Sequence, residues 1–143
     1  MKNPSLARDY LVRARKRLSA LDVLVREKAW PDVVRESQEL VELALKGVLR
    51  LHQIEAPRVH DVSDIFVEHR AVFSTRLQSN VLKLCRISKR LRRDRELAFY
   101  GSEDLTPSEF YKEKDALEAR RQARWVIQVC EAELKVVAPG ARK

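Results

Sequence analysis

Four cations on one stretch of chain, Arg86, Lys89, Arg90 and Arg93, are spaced to meet a phosphate. On an ideal helix, at about 100 degrees per residue, they fall within about a third of a turn of one another. Like charges at such spacings repel, so the arrangement calls for carboxylates from a neighbouring helix or for a bound anion. Tyr100, seven residues past Arg93, projects on the same side if the helix extends that far. By the same arithmetic Arg95 points with the apolar stripe, where it would snorkel outward, pair with a carboxylate such as Glu42, or mark an opening toward an interface. Cutting a phosphodiester requires a proton carrier as well as positive charge. The stretch from Arg93 to Tyr100 holds no histidine.

The other reactive side chains point away from chemistry. His52 is expected to close a helix, where an imidazolium gains from the dipole; His60 reads as a cap or turn residue, and His69 as the end of a short helix. Their spacing to cysteines and carboxylates matches no metal site. No Gly-rich phosphate loop or nucleophile elbow is present, and neither a cofactor nor a metal is expected. Cys85 and Cys130 lie in apolar-patterned segments, which predicts two small buried thiols. Glu103, Asp104 and Glu109 read as a solvated acidic loop. Trp30 and Trp125 are expected to pack at helix junctions. Phe99, Tyr100, Phe110 and Tyr111 flank the acidic loop and could stack a base, although core packing is the expectation for both phenylalanines.

Helices must position these groups. Glycine is scarce, and Pro4, Pro31 and Pro107 sit where proline begins a helix. Apolar residues recur at three and four along about 4–28 (Ala7, Leu11, Ala14, Leu18, Leu21, Val25), 31–52 (Val34, Leu40, Val41, Ala44, Val48, Leu51) and 75–99 (Leu77, Val81, Leu84, Leu91), and along 107–137 (Ala116, Ala119, Ala123, Val126, Ile127, Cys130, Leu134). A shorter helix is expected over about 61–70, with Val62, Ile65 and Phe66 inward. Glu42 stands four residues before Lys46, a supporting pair on one helix face. Together these predict an all-α fold: an antiparallel four-helix up-and-down bundle plus one short helix.

The 143 residues, 45% hydrophobic, suffice for one core, so a single domain is expected over 1–138, with 139–143 a fraying tail. The 29 Lys and Arg against 21 Asp and Glu leave a charge of +8, which favours a polyanion or an acidic protein as partner. No window is apolar enough to cross a bilayer, and the first residues resemble no targeting segment. A cytoplasmic protein without membrane contact is the expectation.

Several ordered segments resemble the HEPN domain family. Gln38 to Leu49, with a glutamine ahead of the Glu42–Lys46 pair, is similar to the family's second-helix signature. His60-Asp61-Val62 is similar to a short step that follows it. Arg93 to Tyr100, then Gly101, resembles the fourth-helix motif R-N-x-x-x-H-x-Y of the ribonuclease members, and Tyr111 with Asp115-Ala116 resembles the closing segment. Matched residue by residue, Arg93 falls at the arginine, Asp94 at the asparagine, Ala98 at the histidine and Tyr100 at the tyrosine. Placing Arg95 at the arginine instead sets Tyr100 at the histidine, and still supplies no imidazole.

The resemblance implies a HEPN homodimer, paired across the faces that bear this motif, that has lost or never had ribonuclease chemistry. It implies a role beside a minimal nucleotidyltransferase in a toxin-antitoxin or defence-type pair, with Arg86, Lys89, Arg90, Arg93 and Tyr100 binding a nucleotide or RNA. In such pairs the motif tyrosine can accept a nucleotidyl group, which makes Tyr100 a candidate modification site. Two alternatives stand beside it. One is a metal-independent endoribonuclease using Arg93, Arg95 and Tyr100, with His60 in support; the other is a structural adaptor docking an acidic protein surface.

Overall fold

The computed structural model describes residues 4–55, 61–101 and 105–139, except for the side chains of 95–99. Its elements are α1 (Pro4–Arg26), α2 (Trp30–Leu51), α3 (Val62–Glu68), a 3-10 turn (Arg70–Val72), α4 (Thr75–Tyr100), α5 (Pro107–Phe110) and α6 (Glu113–Val137). The described residues contain no strand, so the fold is all-α as expected. The stretch 56–60, which includes His60, and residues 102–104 and 140–143 lie outside the description. So do the side chains of Arg95, Ala98 and Phe99.

The apolar stripes meet in one core. Leu11, Leu18 and Leu21 of α1, Leu40, Val41, Leu45 and Val48 of α2, Phe66 of α3, Leu77, Val81, Leu84 and Leu91 of α4, and Ala123, Val126 and Ile127 of α6 form a continuous buried cluster. Burying such side chains stabilises by about 1.5–3 kcal/mol each. Helix α2 is the central member, touching α1, α4 and α6. Pairs between Arg15 and Glu131 and between Asp22 and Arg120 set α1 antiparallel to α6. Helix α4 alternates in the same sense, since Ser74 at its start meets Glu133 near the end of α6. The parallel pair α2 and α6 is thus in close contact, with α1 and α4 to either side. Gly47 makes the α1–α2 approach possible: a Cβ there would lie 3.1 Å from Tyr10 Cβ and 3.3 Å from the Ala7 carbonyl oxygen.

Two segments depart from the periodicity. The expected helix over 61–70 ends at Glu68 and passes through His69 into the 3-10 turn. The expected helix from 107 to 137 is broken in two. Thr106 and Glu109 form a reciprocal capping box that starts α5, and Tyr111 then turns extended, with ψ at 130 degrees. Lys112 caps a fresh start for α6, accepting support from Asp115, whose Oδ2 receives the Lys112 N–H at 2.9 Å. Tyr111 drives the break by entering the core, where it is buried. Phe110 is exposed in its place, against the expectation of core packing.

Candidate functional site

Helix α4 presents the basic residues because its other side is committed to the core. Leu77, Val81, Leu84, Cys85, Ile87 and Leu91 are all buried. At its start the Ser74 hydroxyl accepts the Leu77 N–H at 3.3 Å, in the manner of an N-cap. Between α4 and α6 lies an open groove of about 660 Å³ lined by Lys83, Arg86, Ile87, Lys89, Arg90, Arg93 and Gln122. The structure therefore gathers four of the five expected ligand-binding residues along one groove. The fifth, Tyr100, closes α4 with 75% of its surface exposed.

Neighbouring carboxylates supply much of the relief that the cation spacing demands. Lys89 Nζ reaches Asp61 Oδ2 at 3.0 Å and Asp64 Oδ1 at 2.8 Å, both from the α3 region. Asp61 works twice, since its other oxygen caps α3 by accepting the Ser63 N–H at 3.0 Å. Burial pushes the Asp61 carboxyl up, and hydrogen bonds from Lys89 and Ser63 outweigh it and hold it below its usual range. Arg90 meets Glu118 of α6 at 3.3 Å, and Arg93 meets Asp94 at 3.5 Å. These cations remain in water: about half of the Lys89 and Arg90 side-chain surface and 72% of that of Arg93 is exposed. Exposed pairs of this kind contribute about 0–1 kcal/mol, so a phosphate can compete for either arginine. Arg86 makes no ion pair among the described residues, and Lys83 rests its ammonium on the Trp125 ring, 4.0 Å from the centroid.

Below the groove, Tyr111 donates its hydroxyl to the Asp94 carbonyl at 2.9 Å. Burial and the charges of Asp94 and Asp115 push the Tyr111 phenol up to about 12. It stays protonated at neutral pH and ties the start of α6 to α4. Its expected alternative use, stacking a base, is ruled out by its burial.

The second-helix pair forms as its spacing requires. Lys46 Nζ lies 3.2 Å from Glu42 Oε1, while Gln38 donates its amide to Glu42 Oε2 at 2.7 Å. Burial pushes Glu42 up, but Gln38, Lys46 and the nearby charge of Arg92 together hold it ionised below its usual range. Glu42 and Lys46 line a polar pocket of about 270 Å³ with Arg17, Glu39 and Leu43, apart from the α4–α6 groove.

One polar cluster escaped the sequence reading. His52 Nε2 and Glu133 Oε2 lie 2.9 Å apart, and Glu133 also accepts the Ser74 N–H at 3.1 Å and the Ser74 hydroxyl. His52 and Glu133 side chains are 7% and 1% exposed, and Phe73 packs edge-on against the imidazole. His52 closes α2 as its C-cap, as expected, and its side chain is buried between helices. The signal was a charge on an apolar stripe: Glu133 follows Val126, Val129 and Cys130 at helical spacing. This site is closed to a substrate. Among the described residues no group of His, Cys, Asp and Glu is arranged to hold a metal.

An all-α bundle whose fourth helix carries a cationic strip defines the class. The HEPN domain family model matches residues 7–133, and the chain belongs to that family. No curated protein matches the chain, and neither does any solved structure.

Proposed function

We propose that this HEPN protein is non-catalytic, binds a nucleotide or RNA through Arg86, Lys89, Arg90, Arg93 and Tyr100, and acts in the cytoplasm beside a minimal nucleotidyltransferase in a toxin-antitoxin or defence-type pair. One observation carries the binding half: five cations line one groove while their carboxylate partners stay at its exposed edges. The non-catalytic half follows from the proton carrier. The sequence has Ala98 where the family's ribonucleases have histidine, and the two described histidines are a buried partner of Glu133 and the C-cap of α3. With no histidine in the motif and no imidazole beside Arg93 among the described residues, charge stabilisation is left without proton transfer.

A homodimer is part of the proposal. Tyr100, Leu105 and Phe110 expose apolar surface at the α4–α5 end, next to the motif. Tyr100 also fits as a nucleotidyl acceptor there. Its phenol oxygen would attack the α-phosphorus of a nucleoside triphosphate held by the partner, forming the new P–O bond as pyrophosphate leaves and the phenol proton passes to solvent.

The test measures RNA affinity against salt for the wild type and an Arg86→Ala/Arg93→Ala double variant, alongside RNA cleavage by the wild type. Phosphate binding makes log affinity fall linearly with log salt, and removing two contacts lowers that slope by about 1.4 on a single strand. Cleavage that disappears in the double variant would establish the endoribonuclease instead. Binding with a flat salt dependence would point to the structural adaptor.

A further inference from the structure

The groove is more than a patch of charge. Its α4 side supplies Lys83, Arg86, Lys89, Arg90 and Arg93, its floor includes the buried Ile87, and its α6 side supplies Gln122, whose amide donates to Glu118 at 3.3 Å. Trp125 follows Gln122 by three residues, on the same face of α6. It is half-buried, packed against the core, and meets the exposed side chain of Lys83 across the helix interface. A cationic row thus runs beside an aromatic and amide edge. Polymers that alternate phosphate with a flat π-face match that pairing, because cations track the backbone while bases stack on an aromatic ring.

The flanks restrict what can lie in it. Asp61 and Asp64 border the row on the α3 side, where they hold Lys89. Glu68 adds another exposed carboxylate on α3. A duplex carries one charge per about 1.7 Å of its axis, and its second strand would be pressed toward those acids. One strand avoids them. From Lys83 to Arg93 the helix rises about 15 Å, enough for a short run of nucleotides. An acidic peptide would match the cations and could pair its backbone with the Gln122 amide, but its carboxylate side chains offer the indole no flat π-face.

We infer that the α4–α6 groove is a single-strand RNA site in which Trp125 and Gln122 contact bases while Lys83, Arg86, Arg90 and Arg93 contact phosphates. This rests on the α4 strip being an anion site. In the bound state Lys83 swings from the indole to a phosphate, and a base takes its place against Trp125. Trp125 is then a base-contacting residue, a role that charge alone does not create.

The experiment uses the full chain carrying Trp30→Phe, which leaves Trp125 as the sole tryptophan. A single-stranded oligouridylate, an RNA duplex of equal length and polyglutamate are titrated in turn, following both binding and Trp125 emission. The single strand should quench Trp125 in step with binding, and the duplex should bind at least about tenfold more weakly. Trp125→Ala should cost the single strand about tenfold or more in affinity, with Trp125→Phe retaining most of it. If Trp125→Ala fails to fold, the quenching and the Phe variant still decide. Equal affinity for duplex and single strand would overturn the inference. So would binding that depends on Arg86 and Arg93 yet leaves Trp125 emission unchanged, a result under which the proposed function survives alone. Polyglutamate binding as tightly as RNA, or no binding to any probe, would overturn both.

Discussion

Two clusters of charge in this molecule contain similar groups and do opposite work. His52, Glu133 and the half-buried Ser74 join the end of α2, the start of α4 and the end of α6, and the His52 and Glu133 side chains have almost no exposure. Lys89, Arg90 and Arg93 also pair with carboxylates, yet half or more of each side chain stands in water. Burial makes the difference. A buried charge that loses its partner is left desolvated, whereas an exposed one is rehydrated. The inner cluster therefore serves the fold, and the outer one can exchange its partners for a ligand.

The largest effect should come from the inner cluster. Glu133→Ala leaves His52 and Ser74 without their shared acceptor and should cost about 1–3 kcal/mol for each donor left unpaired, read in urea unfolding. A loss below about 1 kcal/mol would erase the contrast between the clusters. The same cluster should respond to acid. Burial raises the Glu133 carboxyl, but hydrogen bonds from His52 and Ser74 outweigh it, so its folded value lies below the ordinary 4.5. Its contribution is fully present above about pH 4.5 and is lost as pH falls through the lower folded value. Glu133→Gln should flatten the stability curve across that acid window, as followed by circular dichroism.

Smaller effects are expected further out. Gly101 has φ +81 degrees, and a Cβ there would lie 2.6 Å from the Leu105 carbonyl oxygen. Gly101→Ala should cost about 1–3 kcal/mol and alter the backbone beside Tyr100, which amide exchange of α5 can detect. Lys89→Ala should cost less than about 1 kcal/mol in thermal unfolding, because the pair is exposed. The Arg86→Ala/Arg93→Ala variant should unfold within about 0.5 kcal/mol of the wild type while losing RNA affinity. If it destabilised as strongly as Glu133→Ala, the outer strip would be part of the scaffold.

Much of this was legible along the chain, for local reasons. Helical spacing exposed the stripes of α1, α2, α4 and α6, and the prolines marked three helix starts. The Glu42–Lys46 pair formed because four residues bring side chains together on any helix. The break at Tyr111 was less visible, since a capping box and a buried ring outweighed a continuous pattern. Glu133 falls on the apolar stripe of α6, which marks it as inward, but nothing near it in sequence announces His52, 81 residues away.

By itself the sequence determined the helices, the family resemblance, the basic side of α4 and the alanine at the motif histidine's position, because each depends on residue type at short spacing. The tertiary structure alone decided that Asp61, Asp64 and Glu118 moderate those cations, that α6 makes them one wall of a groove, and that Glu133 lies under the bundle. Those outcomes depend on which helices pack together, and packing is settled by burying all the apolar stripes at once rather than by any single segment.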